Sequence, residues 1–431
     1  MTLAPYREVK QFEPSANTAP AWLAAFRKNA YESIQKNGFP SRKQEGWKYL
    51  NLEPILSNVF AENTKAEELN LNDMLLEDAY QVVVQNGKIN TTLSSSDLPQ
   101  NLVVCSFEDA LKNYERELET CINLSQAETL NSFEALNRVH FQDGLFCLIQ
   151  KETKLEKPLQ ILIANSSAET DAVFYPRLYV VANEGSKANI LFTQVGKSNA
   201  KTLCNLATYL FAKENSCLEL VSYQDETEKN YSLANNFVFQ AAGSAVNWTT
   251  YTHSCNVIRN ETKVAFTGKS ASTNINSLCL LSGENEVYNH VTVEHRVGAC
   301  TSQQLSKHIL NGKARNEFNS MSHIFEGASL SDSQQMSRSM LLSDKARIFS
   351  RPQLRVYNED VKAAHGATIG QVSADELFYL QSRGIAKDEA TSLLVYGFAE
   401  EVVETIADKT MRAFIEKHVQ RDLREVVSTE V

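Results

Sequence analysis

From Leu145 onward the chain presents one short apolar run after another, and no helical periodicity interrupts them until the last sixty residues. The runs LFCLIQ, LQILIA, RLYVVA, NILFTQV, LATYLFA, LELVSYQ, NFVFQA, VNWTTYT and SLCLLSG are rich in Val, Ile, Leu, Tyr and Thr and read as strands. Turn groups separate them at Gly185, Asn215, Gly243, Gly268, Gly283, Gly298, Gly312, Gly327 and Asp344. The successive gaps are 30, 28, 25, 15, 15, 14, 15 and 17 residues. The later spacing is half the earlier one, as expected of a coil with two strands and a turn at each end. Such coils bury their faces only by stacking on neighbours, which predicts a solenoid, here a β-helix. An antiparallel sandwich is the other architecture open to so many short strands.

Composition sharpens the problem. A chain of 431 residues with so many strands needs many turns, yet it holds only 16 Gly and 9 Pro, against 35 Asn. Asparagine tolerates the left-handed conformation that glycine usually supplies, so the asparagines are expected at turns and corners, as at Asn215. Hydrophobic residues are 43% and charged residues 22%, the balance of a globular chain. Lys and Arg number 42 against 52 Asp and Glu, a net charge of −10 that argues against nucleic acid or an anionic membrane as partner. The opening MTLAPYREVKQFEP has no apolar core, and the longest apolar stretches, such as Leu393 to Ala399, are far short of the about 20 residues of a membrane span. A cytoplasmic location is expected.

Both ends read as helical. In Pro20 to Lys36 the apolar residues Leu23, Phe26, Ala30 and Ile34 keep helical period, and Gly38 and Pro40 stop it. A charged run with two aromatics follows, Arg42 to Leu50, then a polar stretch over 58–75 that reads as a linker. Phe107 to Asn137 reads as short helices with Ser106 and Ser132 as N-caps. At the other end Ser373-Ala374-Asp375-Glu376 is a capping box for a helix through Arg383 closed by Gly384. Val395, Phe398, Val402 and Ile406 mark a second amphipathic stretch, and Met411, Ile415, Val419 and Leu423 a third. The expected divisions are an N-terminal helical region with linker over 1–140, a β-helix core over 141–370 and a C-terminal helical domain over 371–431.

Few residues carry chemistry by spacing alone. The eight cysteines, Cys105, Cys121, Cys147, Cys204, Cys217, Cys255, Cys279 and Cys300, form no C-x-x-C pair and are expected to be buried thiols. Gly268-Lys269-Ser270 and Gly196-Lys197-Ser198 imitate a phosphate-binding loop, but Lys263 and Leu191 stand where its first glycine belongs, and strand text flanks both. Both are read as turns, and the chain is not expected to hydrolyse nucleotides itself. His290, His295, His308 and His323 are loosely clustered; the first two, five apart, face opposite ways on one strand. His365 lies in Lys362-Ala363-Ala364-His365-Gly366-Ala367-Thr368, among small neighbours and downstream of Glu359 and Asp360. Its setting would let another chain or an ion approach the imidazole, which can ligate iron; a solvated loop histidine fits the same text.

The stretches NGKARNEFN, QQMSRSMLLSDKARIFSRPQLRVYNEDVKAAHGATIGQ and DELFYLQSRGI, with RKQEGWKYL near the start, resemble the SufB/SufD family of iron–sulfur cluster assembly scaffolds. The HGATIGQ form resembles the SufD branch. SufB reads closer to C-E-H-E-A-T-T-S-K there, and this chain has no cysteine after Cys300. The resemblance implies a right-handed parallel β-helix between helical ends. It implies a non-catalytic subunit of the SUF complex that pairs with SufB through the β-helix; a homodimer is open to the isolated chain. The ATPase SufC would bind the C-terminal helical region. It also implies a transient iron–sulfur cluster shared with SufB, toward which His365 is this chain's ligand. Many relatives read K-C-S-H-G-A-T, whereas Ala363 stands here in place of that cysteine, so more of the site falls to SufB. A β-helix polysaccharide hydrolase or lyase is the alternative from another class, disfavoured by the lack of a signal peptide and of an Asp-rich strand register. A SufB-like scaffold acting alone is the third reading.

Overall fold

The computed structural model describes Tyr6 and residues 20–62, 70–126, 128, 131–196 and 198–428. The chain is a parallel β-solenoid of eight coils, with helices at both ends. The first coil is Leu145–Ile149 and Leu159–Asn165. From there strands alternate between two sheets. One sheet takes Arg177–Ala182, Thr202–Ala212, Asn230–Gln240, Val257–Phe266, Glu286–His295, Arg315–Ile324 and Arg347–Val356. The other takes Lys187–Gly196, Cys217–Glu226, Ala245–Thr252, Ser272–Leu281, Thr301–Leu310, Asp332–Leu341 and Lys362–Gly370. We call them the N-sheet and the C-sheet, after the terminal region that covers each. Cys217 lies beside Lys187 and Ala245, and Thr301 beside Ser272 and Asp332, so along the C-sheet one coil takes 27 to 31 residues. The sequence spacing has its explanation here. The early turn groups mark one corner per coil, and the later ones mark both.

The asparagines divide between corners, as expected of Asn183, Asn215, Asn285 and Asn311, and the strands themselves. Among the described asparagines only Asn86 and Asn215 have positive φ. The corner entering the C-sheet is left-handed in successive coils at Glu152, Gly185, Asn215, Gly243, Ser270, Ala299 and Leu330. A left-handed non-glycine residue costs about 1–2 kcal/mol. Backbone hydrogen bonds between stacked corners hold it there: Asn215 N–H donates to the Ala242 carbonyl, Ala299 to Ser329 and Leu330 to Asp360, at 2.9, 2.8 and 2.7 Å. Many asparagines instead form ladders along the sheets, such as Asn274 to Asn247 at 2.8 Å and Asn260 to Asn289 at 2.9 Å. Parallel strands place identical side chains one above another, and an amide can both give and accept in such a stack.

The N-terminal region lies on the outer face of the N-sheet. The helix Ala21–Asn37 buries Leu23, Phe26, Ala30 and Ile34 and ends at Gly38, where φ is 63°. It packs on the helix Ser132–His140, whose cap is Asn131 rather than Ser132: Asn131 Oδ1 accepts from Phe133 N and Glu134 N at 2.9 and 3.2 Å. Ser106 caps Phe107–Asn113 as expected. The region is not helical throughout. Tyr80–Gln85 joins the C-sheet beside Leu159–Asn165, and Leu102–Ser106 pairs antiparallel with Leu145–Ile149. Of the polar stretch 58–75, residues 63–69 fall outside the described part. The run Arg42 to Leu50 straps the sheet lengthwise: Trp47 lies 3.7 Å from the Arg259 guanidinium, Tyr49 stacks on Phe349 at 3.8 Å, and Glu45 pairs with Arg351 at 3.1 Å.

The C-terminal helices Ala374–Ser382, Lys387–Val403 and Lys409–Ser428 follow the solenoid, and the last two pack on the outer face of the C-sheet. Val395, Ala399, Val402, Ile406, Met411, Ile415, Val419 and Leu423 share an apolar cluster with Val221, Tyr223 and Tyr251 of the sheet. Tyr251 donates to Asp422 at 2.7 Å, and Lys307 Nζ to the Phe398 carbonyl at 2.7 Å.

Candidate functional site: the open end of the solenoid

Residues 301–310 are largely buried, because coils lie on both sides of them. The last strand of each sheet has no such cover. Arg347–Val356 holds no buried residue, and Lys362–Gly370 is exposed everywhere except at Gly366, which is half-buried. Each has a paired strand on one edge only. Val356, Tyr357 and Ile369 stand exposed at this end. A parallel sheet ordinarily buries both faces, so an open parallel edge with apolar side chains is an invitation to another chain.

His365 sits in the middle of Lys362–Gly370, not in a loop. Its pairing partner across the ladder is Gln335, with Ala363 opposite Ser333 and Ala367 opposite Ser337. Ser333, Gln335 and Ser337 point into the lumen between the sheets, where Ser333 bonds Ser322 at 2.7 Å and Ser337 bonds Ser350 at 2.8 Å. Alternation along the strand therefore gives Ala363, His365 and Ala367 to the lumen-side face, at the uncovered mouth. Gly366 faces the other way, where a Cβ would meet the Met336 methyl at 3.1 Å. The structure does not bring Glu359 and Asp360 to the imidazole. Both lie in the exposed turn before the strand, and five residues of extended chain span about 16 Å.

Behind the mouth the lumen is polar. His295 Nε2 meets Ser302 at 2.8 Å, Ser302 meets Ser333 at 2.9 Å, and Gln335 donates to Ser322 at 2.7 Å. His308 lies between Ser306 and Ser339, at 2.9 and 3.1 Å. Burial lowers the pKa of His295 to about 4 and of His308 to about 3, so both are neutral near pH 7. His290 faces the opposite side, toward Glu261 and Glu317 on the outer N-sheet, and His323 stacks on Phe325. The four histidines thus share no metal. Among the described residues, no group of three or more His, Cys, Asp and Glu is arranged to hold a metal ion.

The cysteines divide. Six are buried, and burial pushes the thiols of Cys121, Cys147 and Cys279 up to about 12. Cys105 is half-buried and Cys217 is exposed, contrary to expectation. Cys217 opens its strand directly after the Asn215 corner, where the first residue leans outward. None lies in the last two coils. Gly268 and its neighbours form a solenoid turn between strands, as expected, and Gly196 ends a strand; Lys197 falls outside the described residues.

The N-terminal region of the SufBD proteins matches residues 6–161, and the SufBD core domain of the SUF iron–sulfur cluster assembly system matches residues 163–398. The chain belongs to the SufBD family. Among its relatives is the iron–sulfur cluster assembly protein SufD of Escherichia coli, 26% identical over 388 residues, covering 88% of each chain. The protein of the same name from Bacillus subtilis is 24% identical over 423 residues, 94% of this chain and 95% of its own. The chloroplastic protein ABCI7 of Arabidopsis thaliana is 24% identical over 429 residues, 95% of this chain and 89% of its own. Within the SufBD fold, the mouth with His365 lies in the matched core domain. Among the described residues no helix is long and apolar enough to cross a membrane.

Proposed function

We propose that this SufBD protein is the SufD-type scaffold subunit of a SUF complex, not an enzyme. Its substrate is a nascent iron–sulfur cluster, built at the open mouth of the solenoid and released from there. The observation that carries this reading is His365, exposed on the lumen-side face of a strand whose outer edge is unpaired. One imidazole and no neighbouring thiol cannot hold a cluster. A second chain laid against the same edge can complete the ligand set, and a site shared across an interface gives up its cargo when the interface opens. That partner is SufB. Ala363, on the same face as His365, marks where a thiol would stand and does not, so the thiolates come from the partner.

The ATPase SufC docks on the C-terminal helices. Ala374–Ser382 has no buried residue, and Phe378 and Tyr379 on it, with Leu393 on the next helix, are exposed apolar groups. ATP-driven movement there reaches the last strand through only three intervening residues. The protein acts in the cytoplasm.

The test is co-expression of the chain with SufB and SufC, followed by pull-down and by measurement of cluster-dependent activity in cells. A ternary complex is expected from wild type and from His365→Ala alike, with cluster assembly lost in the variant. Unchanged cluster assembly removes His365 as a ligand, and absence of a ternary complex removes the scaffold reading.

A further inference from the structure

Far from the mouth, under the N-terminal helices, two arginines share one carboxylate, and a third lies behind a phenylalanine ring. Glu134 accepts from Arg138 Nε at 2.7 Å and from the Tyr209 hydroxyl, and lies 3.5 Å from Arg177 Nη1. Arg177 is fully buried and also donates to Asn137 and Tyr179. Arg27 reaches the same layer through Phe141, whose carbonyl it bonds at 3.0 Å and whose ring lies 5.1 Å from its guanidinium and 5.2 Å from that of Arg177. Burial, then the charge of Arg177, lowers the Arg27 pKa from its ordinary value. Burial pushes Glu134 up, but the charges of Arg138 and Arg177 outweigh it and keep the carboxylate ionised. Two cations therefore share one anion, with Arg27 adding a third positive charge across the Phe141 ring. Aromatic faces offset part of the excess: Phe26 lies 5.2 Å from Arg138 and 5.1 Å from Arg177. Glu128 does not help, because its carboxylate is taken by Lys263 and Arg296.

The excess has an outlet. A cleft of about 540 Å³ opens between the helices Ala21–Asn37 and Ser132–His140 and the Trp47 segment, and Arg138 lines it. Nine-tenths of Arg138 is buried. Its Nε is bonded to Glu134 and its Nη2 to the Ser125 and Glu128 carbonyls, whereas Nη1 has no hydrogen-bond partner among the described residues. On the cleft wall stand the aromatic rings of Trp47 and Phe26 and the polar groups of Ser33, Asn37 and Gln44. The volume is that of a small-molecule site, and such sites combine apolar walls with one or two fixed charges.

We propose that this cleft binds a small organic anion through a carboxylate or phosphate group on Arg138 Nη1, with its body against Trp47. The site is some distance along the sheet from His365 and stands independently of the cluster-scaffold reading. A ligand here would tie the strap Arg42 to Leu50 to the two helices, since Gln44, Gly46 and Trp47 form one wall.

The test is isothermal titration of the full chain at fixed ionic strength, with benzoate as the carboxylate probe and inorganic phosphate as the phosphate probe. Saturable binding of either supports the site, and which one binds identifies the head group. Ser33→Asp places a carboxylate on the rim from a half-exposed helix position, so folding is retained; circular dichroism checks this. Binding is expected to weaken tenfold or more in that variant. No saturable binding of either probe to wild type overturns the proposal. So does an affinity that Ser33→Asp leaves unchanged, which would put the anion elsewhere.

Discussion

The two ends of the solenoid solve the same problem of lumen filling in opposite ways. In the early coils Leu145, Cys147, Ile149, Leu159, Ile161, Ile163, Leu178, Val180, Ile190 and Phe192 fill the lumen as one apolar cluster, and the strands there are buried on both faces. In the late coils the equivalent positions are Ser302, Gln304, Ser306, His308, Ser320, Ser322, Ser333, Gln335, Ser337 and Ser339, joined side chain to side chain. Apolar burial is worth about 25 cal/mol per Å², while a satisfied hydrogen bond nets only about 1 kcal/mol. The early coils can therefore stand on their own packing, whereas the late ones hold their shape more by directional bonds and end without a cover. A scaffold that must open and release its cargo needs its yielding part at one end and its anchor at the other.

The contrast can be broken by substitution. The largest effect belongs to the apolar end: Leu178→Ala, fully buried, is expected to cost about 2–5 kcal/mol in urea unfolding. Acid comes next and strikes the other end. His295 and His308 have folded pKa values lowered to about 4 and about 3, against about 6.5 when unfolded. Below pH 6.5 the unfolded chain binds the extra protons, so stability falls with pH until the folded values are reached. Each contributes up to about 1.4 kcal/mol per pH unit in that window. Urea midpoints at pH 7 and pH 5 read this loss, and His308→Gln should remove about half of it, His295 keeping the rest; an equal loss in that variant would place the acid sensitivity elsewhere. Ser320→Ala, which strips the Gln304 amide oxygen of its donor, should cost about 1–2 kcal/mol in the same urea assay. His365→Ala should change stability by less than about 0.5 kcal/mol, since the residue is exposed, while abolishing cluster assembly in cells.

Much of the molecule was legible before any coordinates. The four residues at helical period in Ala21–Asn37 are the four that it buries, and Ser373 caps its helix, with its Oγ accepting from Glu376 N at 3.3 Å. The turn spacing gave coils of two strands. What escaped depends on registry between coils. Tyr80–Gln85 reads VVV ahead of Asn86-Gly87, a hairpin signal, but nothing local says that it will lie beside Leu159–Asn165. His365 reads as a loop residue because its neighbours are small and polar text precedes it. Only the length of the coil between Gln335 and His365 decides that it is stranded and turned to the lumen side. The asparagines expected at corners include Asn183, Asn215, Asn285 and Asn311, yet others, such as Asn247, Asn260, Asn274 and Asn289, stack across coils as ladders, a placement that conformational tolerance does not foresee.

The central claim is that the uncovered last coil is where a second SufBD-family chain seats itself around His365. Hydrogen exchange of the isolated chain and of its complex with SufB, compared at the backbone amides of residues 347–370, measures this directly. The account predicts fast exchange there in the isolated chain at concentrations too low for self-association, and strong protection in the complex, with the early coils unchanged in both. Protection confined to other surfaces, with residues 347–370 still exchanging freely in the complex, would contradict it.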